Sequence, residues 1–362
     1  MRPALFYIAF ILSMGAAHAA DAVQANYPVP VQGEAVLRNF AFASGDKLPA
    51  LRIHYRTLGT AQRDSGGMVT NAVLITHGTG GTGAQFLRPE FAGELFSPGG
   101  LLDAARYYII LPDGIGHGQS SKPSDGLRAR FPHYGYRDMV DAQHKVLQQL
   151  GVNHLRLVMG TSMGGMQAWV WGERYPGFMD ALMPLASLPT QIAGRNRAWR
   201  RVVIDAIRND PQWQGGDYRV QPQSLRTGLQ MLYLMGSNPA LRQLQTPTLA
   251  GTDTALDAYV AAGVRETDAT DLVYQLEASQ DYDPLPELEK IRAPLVAVNT
   301  ADDMINPPEL GILEREIKRV RQGSAIVLPF SPDTRGHGSH TVANLWKPYL
   351  QRLLQASERK TP

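Results

Sequence analysis

One serine bracketed by glycines narrows most sharply what this chain can fold into. Gly160-Thr161-Ser162-Met163-Gly164 joins the apolar run Leu155-Arg156-Leu157-Val158-Met159 to the segment Gly165-Met166-Gln167-Ala168-Trp169-Val170-Trp171. The first run has the length and apolar content of a buried strand, and the second reads as a helix. A chain that passes straight from one into the other, with glycines on both sides, makes a strained turn that lifts the serine hydroxyl above the sheet. The bare pattern arises by chance in many long chains, so the flanking elements carry the reading. A helix starting at this turn aims backbone N–H groups and the positive end of its dipole at the serine. The N–H of Met163 is therefore expected to face an oxyanion formed there.

Partners for Ser162 follow in the chain. After the strand Pro294-Leu295-Val296-Ala297-Val298-Asn299 comes Thr300-Ala301-Asp302-Asp303-Met304-Ile305-Asn306-Pro307-Pro308. Two carboxylates thus fall at the C-terminal end of a core strand, where open α/β sheets gather their sites. Asp303, four positions before the first proline, is read as the acid, with Asp302 as its rival. A further strand, Ser324-Ala325-Ile326-Val327-Leu328-Pro329, leads into Thr334-Arg335-Gly336-His337-Gly338-Ser339-His340. His337, on a loop between two glycines, has the freedom to reach both Ser162 and Asp303. His340 borders the final helix, Thr341 to Ala356, and is the weaker candidate.

The order serine, acid, histidine is that of the α/β-hydrolase fold. In such a triad His337 takes the serine proton during attack and returns it to the leaving group, while Asp303 holds the imidazole tautomer and stabilises the imidazolium. A second oxyanion donor is expected after the strand Asn71-Ala72-Val73-Leu74-Ile75, on the loop His77-Gly78-Thr79-Gly80-Gly81-Thr82-Gly83, and is assigned to the N–H of Thr79. No Lys-Ser or Lys-Thr pair follows that loop, which argues against a phosphate-binding loop. Asp113 and His117, in Pro112-Asp113-Gly114-Ile115-Gly116-His117-Gly118, lack a third ligand at a supporting spacing and are read as turn geometry. No metal and no cofactor are expected.

Apolar strands alternating with helices indicate a mostly parallel central sheet with helices on both faces. Ala35 to Ala41 and Leu48 to Leu58 read as an antiparallel pair ahead of it, and Tyr136 to Leu150 as a helix. Between Pro189 and about Ile291 the strand signal disappears. Helical stretches there, Trp199 to Arg208, Leu225 to Met235, Ala255 to Gly263 and Ala269 to Gln280, are separated by Pro and Gly breakers. The expected organisation is a core of residues 20–188 and 292–362 with a helical cap, 189–291, inserted between serine and acid. Met231, Leu232, Tyr233, Leu234 and Met235 are read as cap core, with an acyl pocket as the alternative.

The run Phe131-Pro132, Tyr136-Arg137-Asp138-Met139-Val140-Asp141-Ala142-Gln143, Leu147 to Gly151 and Ser162-Met163-Gly164-Gly165-Met166-Gln167-Ala168 resembles the homoserine O-acetyltransferase group of α/β-hydrolases. Tyr282-Asp283-Pro284 and Asp303 with Pro307-Pro308-Glu309 extend the resemblance over roughly residues 50–350. It implies the same fold and triad, and it admits a homodimer. At the histidine loop the family reads Gly-His-Asp, an aspartate implicated in holding homoserine, where this chain has Gly336-His337-Gly338. The family's His-Ala-Leu-Thr-Gly oxyanion loop is replaced by His77-Gly78-Thr79-Gly80-Gly81. Its cap arginine for the amino-acid carboxylate has three candidates here, Arg197, Arg200 and Arg201.

Met1-Arg2, the apolar Ala4 to Met14 and Ala17-His18-Ala19 read as a secretory signal peptide cut after Ala19, with an N-terminal membrane anchor as the alternative. Export would place the protein in the periplasm or outside the cell, away from acetyl-CoA. The chain holds no cysteine, which excludes disulfides and thiolate chemistry. Thirty-five basic residues against 33 acidic, with no basic cluster interleaved with aromatics, point away from nucleic acid. The run Arg195 to Arg201 is read as a solvated or cap-facing helix surface. Together these readings favour a secreted serine esterase that forms an acyl-serine from a small-molecule acyl ester, with no nucleic-acid partner and no lasting membrane insertion. The alternatives are an O-acyltransferase like the resembling group, and a non-catalytic binding protein on the same scaffold.

Overall fold

A computed structural model describes residues 26–358. The expected signal peptide, residues 1–19, lies outside the described residues. The chain begins with an antiparallel pair, β1 (Val31–Ala41) and β2 (Lys47–Leu58), turned at Gly45. Then come β3 (Ala72–Thr76), β4 (Tyr108–Pro112), α1 (Tyr136–Gln149), β5 (Leu157–Thr161), α2 (Met163–Arg174) and β6 (Leu182–Leu185). Five helices follow without a strand among them: α3 (Gly194–Arg208), α4 (Leu225–Met235), α5 (Pro239–Gln245), α6 (Leu249–Glu266) and α7 (Ala269–Glu277). The chain closes with β7 (Leu295–Thr300), the short α8 (Ile312–Glu316), β8 (Gly323–Leu328) and α9 (Ala343–Ala356).

The eight strands form one sheet in the order β1-β2-β4-β3-β5-β6-β7-β8. β2 pairs antiparallel with β1 and β4, and every other pair is parallel. β3 and β5 are buried at all five positions, as strands covered on both faces must be. Alternate side chains serve opposite layers. Leu74 and Val158 pack with Trp169, Trp171 and Met139 under α1 and α2, while Val73, Ile75, Leu157 and Met159 pack with Phe91, Trp346 and Leu350 under α9. β6 and β7 are direct neighbours, with Leu182 opposite Leu295, so α3 to α7 leave the sheet and return between adjacent strands.

Those helices carry a core of their own: Trp199, Val203 and Ile207 of α3 pack with Leu225 and Leu229 of α4 and Leu272, Val273 and Leu276 of α7. Met235 belongs to it, Met231 and Leu232 pack against it, and Leu234 is 62% exposed. The apolar stripe of α4 therefore holds the helical insertion together.

Glu173, near the end of α2, is buried, and its Oε1 has no hydrogen-bond partner. Burial, with Glu287 adding to it, raises its carboxyl from 4.5 to about 8. Over that interval the folded protein keeps a proton that the unfolded chain has released, so this group makes stability fall as pH rises from the unfolded to the folded value. Glu173→Gln is uncharged throughout. Its thermal midpoint is expected to exceed that of the wild type near pH 8 and to change less between mildly acid and mildly alkaline buffers. An unaltered pH slope would mean that Glu173 is ionised in the fold.

Candidate active site

The turn from β5 into α2 places Ser162 with φ 54° and ψ −113°, a conformation that L residues rarely adopt. Two glycines make this approach feasible by close contact rather than by their own dihedrals. A Cβ on Gly160 would run into the Gly164 carbonyl and Thr76 Oγ1, and one on Gly164 into the Thr76 backbone. Thr76 Oγ1 donates to the Gly164 carbonyl at 3.0 Å, tying the end of β3 to the first turn of α2. The serine is then held from both sides: its N–H donates to Leu185 O at 2.9 Å and its carbonyl accepts from Met166 N at 2.9 Å.

Above this turn, three residues far apart in sequence form one hydrogen-bonded line. His337 Nε2 lies 2.8 Å from Ser162 Oγ, and His337 Nδ1 lies 2.8 Å from Asp303 Oδ2. Asp303 Oδ1 accepts from the backbone N–H groups of Ile305 at 2.8 Å and Asn306 at 3.1 Å. Burial alone would raise the Asp303 carboxyl, but the adjacent imidazole and these N–H donors outweigh it and hold it below its ordinary value. A carboxylate so placed accepts from Nδ1–H, which leaves Nε2 free to accept the serine proton. Asn306 Nδ2 donates to Ala186 O at 2.8 Å and fixes the acid loop to the end of β6.

The rival candidates lie elsewhere. Asp302 turns from the imidazole to the Gly336 N–H and to Asn238. His340 stands edge-on to His337, with ring centroids 5.3 Å apart, and burial drives its pKa down to about 3. Asp113 is taken up by Arg56 at 3.0 Å, His54 at 2.9 Å and the N–H groups of Gly83 and Gln119. His117 is buried, with a pKa lowered to about 3, first by burial and then by His77. Among the described residues no group of three or more such side chains could hold a metal ion.

The loop after β3 lies beside Ser162: a Cβ on Gly78 would sit 3.4 Å from Ser162 Cβ. His77, to which the sequence pattern assigns no role, anchors that loop. Its Nδ1 lies 2.8 Å from Gly78 O, and its Nε2 accepts from Gly114 N at 2.8 Å, the pattern of a neutral imidazole. Burial lowers its pKa, in keeping with that state. The N–H groups of Thr79 and Met163 donate no hydrogen bond among the described residues.

Arg200, one of the three candidates for a carboxylate-holding arginine, is the buried arginine of its run. Read as part of a solvated or cap-facing surface, it is 2% exposed and has no ion-pair partner among the described residues. Its Nε donates to Asn196 Oδ1 at 3.1 Å. Burial lowers the pKa of its guanidinium and raises that of the Tyr136 hydroxyl, which Arg200 and Thr79 both pull back. Arg201, by contrast, is paired with Asp205 on the surface. A run of arginines carries no signal for which member points inward; the helical phase set by Trp199 and Val203 is the available clue.

A model of the α/β-hydrolase fold matches residues 71–321. The chain belongs to the α/β-hydrolase fold family. A protein of Methanothermobacter thermautotrophicus named "probable acyltransferase" is 30% identical to it over 282 residues, covering 76% of this chain and 83% of that one. A homoserine O-acetyltransferase of Haemophilus influenzae is 28% identical over 337 residues, 82% of this chain and 90% of that one. The solved structure of homoserine O-acetyltransferase from Bacillus anthracis superposes with a TM-score of 0.78 at 20% identity, covering 92% of this chain and 99% of that one, a likeness of fold.

This α/β-hydrolase is an enzyme of acyl-group chemistry that resembles the homoserine O-acetyltransferase group. The expectation of a secreted esterase is corrected by these relatives, which are named for acyl transfer. An acyl-serine serves hydrolysis and transfer alike, so the triad order does not favour water over an alcohol.

Proposed function

We propose that this α/β-hydrolase is an O-acyltransferase that passes an acyl group through Ser162 to the hydroxyl of a small acceptor. The observation that carries the reading is the unbroken hydrogen-bonded line from Ser162 through His337 to Asp303 in a chain whose near-full-length relatives are named acyltransferases. His337 removes the Ser162 proton as Oγ attacks the donor carbonyl, and the N–H groups of Thr79 and Met163 receive the oxyanion. Collapse of that intermediate expels the leaving group, which takes the proton from His337. The acceptor hydroxyl then gives its proton to His337 as it attacks the acyl-serine, and collapse of the second intermediate breaks the acyl–Oγ bond while Ser162 Oγ takes that proton back from His337.

Arg200 supports a carboxylate on the acceptor. A buried guanidinium whose partners, Asn196 and Ser279, are both neutral carries a desolvation cost that an anion would offset. It stands with Tyr136 and Thr79, the residue assigned to the oxyanion donor. Homoserine, the acceptor named in the relatives, has such a carboxylate. Gly338 offers its ammonium no charge, so a hydroxy acid without an amine is a fit test of the same site.

With acetyl-CoA or succinyl-CoA as donor and homoserine or 4-hydroxybutyrate as acceptor, mass spectrometry is expected to show O-acyl product forming faster than the thioester is hydrolysed. Arg200→Met should raise the acceptor KM by about tenfold or more, the scale of a lost charge-assisted contact. Thioester hydrolysis that no acceptor hydroxyl diverts would overturn the proposal.

A further inference from the structure

Asp302 precedes the proposed triad acid, and its side chain is directed at backbone and insertion rather than at the imidazole. Oδ2 accepts from the Gly336 N–H at 2.9 Å and from Asn238 Nδ2 at 2.6 Å. Oδ1 is buried without a partner. Gly336 immediately precedes His337, has φ +58°, and its carbonyl accepts from Thr300 Oγ1 at 3.2 Å. A Cβ there would lie 2.9 Å from both Asn238 N and Ser237 C, so the turn between α4 and α5 rests directly on the histidine loop. Asn238 is 3% exposed, and its Oδ1 caps α5 by accepting from Leu241 N at 2.7 Å.

We infer that Asp302 is a positioning residue for His337 and that, through Asn238, it clasps the helical insertion to the histidine loop. The consecutive carboxylates at the end of β7 have separate roles. Asp303 holds the ring, and Asp302 holds the backbone from which the ring hangs. Asp302 is half-buried as a residue, but its Oδ1 is enclosed without a partner, an unmet acceptor that costs stability and that a position serving only the fold has no need of. One anion receiving donors from both the insertion and the loop makes the two move together. Displacement of the α4–α5 turn then displaces His337 from Ser162 Oγ. The inference rests on the Ser162–His337–Asp303 reading.

The test measures the rate at which an organophosphonate inactivates the full-length protein by labelling Ser162, which reads the base directly, alongside the thermal midpoint. Asp302→Ala is expected to slow labelling about tenfold or more per folded molecule, and Asn238→Ala to slow it less; the double variant should be no slower than Asp302→Ala, because both remove one clasp. Asp302→Asn, which keeps an oxygen for the Gly336 N–H, should recover part of the rate. A merely structural role would lower the midpoint and leave the rate of folded protein at the wild-type value. That result in Asp302→Ala, or additive losses in the double variant, would overturn the inference. If Asp302→Ala does not fold, wild-type rates in both Asn238→Ala and Asp302→Asn overturn it instead. Failure of the triad reading looks different: wild-type labelling in His337→Ala, or labelling at another serine.

Discussion

Ser162→Ala is expected to abolish the acyl-enzyme while the protein folds normally. The hydroxyl is one of two groups on His337, and Ser162 is anchored to the fold by its backbone, through Leu185 O and Met166 N, rather than by its side chain. Removing Oγ therefore removes chemistry without removing a structural contact. The loss in kcat should approach 10⁶-fold, by order of magnitude the loss seen when a triad nucleophile is removed from a serine enzyme. Intact-mass measurement after brief exposure to an acyl thioester checks it. The wild type should gain one acyl group, and the variant none. An acyl group found on the variant, or on another serine of the wild type, would sink the assignment.

Asp303→Asn should also cost several orders of magnitude, with almost no change in shape. The carboxylate accepts from His337 Nδ1 at 2.8 Å and from two backbone N–H groups. An amide keeps one acceptor oxygen, and the backbone N–H groups of Ile305 and Asn306 claim it. Its NH₂ then faces Nδ1, which is satisfied only if the imidazole proton moves to Nε2. In that tautomer Nε2 cannot take the serine proton. A fall in kcat on the order of 10⁴-fold is expected, the scale of tautomer reversal in a triad. The check is kcat with saturating donor and acceptor, with the fold monitored by circular dichroism. A loss of only a few fold would mean that another group orients His337.

Much of this is legible in the chain because the decisive signals are local. The glycines around Ser162, the β5 run before it and the helix after it share one short segment, and close packing at Gly160 and Gly164 explains their presence. Asp303 and His337 are marked by strand ends and loop position, which depend on neighbours in sequence. The two aspartates differ only in which way each side chain turns at the end of β7, and adjacent positions carry no pattern for that beyond the spacing to Pro307. Arg200 shows the same limit, since its burial depends on α3 packing against α4 and α7. The esterase reading fails for another reason. It takes two changed loops and an expected export signal as a change of reaction, although water and an alcohol resolve the same intermediate and no single residue type marks the choice.

The placement of the insertion between two hydrogen-bonded parallel strands has a consequence for how such proteins diversify. Leu182 and Leu185 of β6 face Leu295 and Val298 of β7, so the ends of the intervening chain are held side by side by the sheet. For a segment closed in this way the entropic cost rises only with the logarithm of its length, about 0.6 kcal/mol for each doubling. Lengthening, shortening or exchanging the helices is thus nearly free as far as chain closure goes, and the strand ends that carry the serine and the acid keep their register. A graft need satisfy only the seats where it meets the core, such as the bed that Gly336 offers to the α4–α5 turn. One sheet can in this way serve many substrates, each met by a different set of helices.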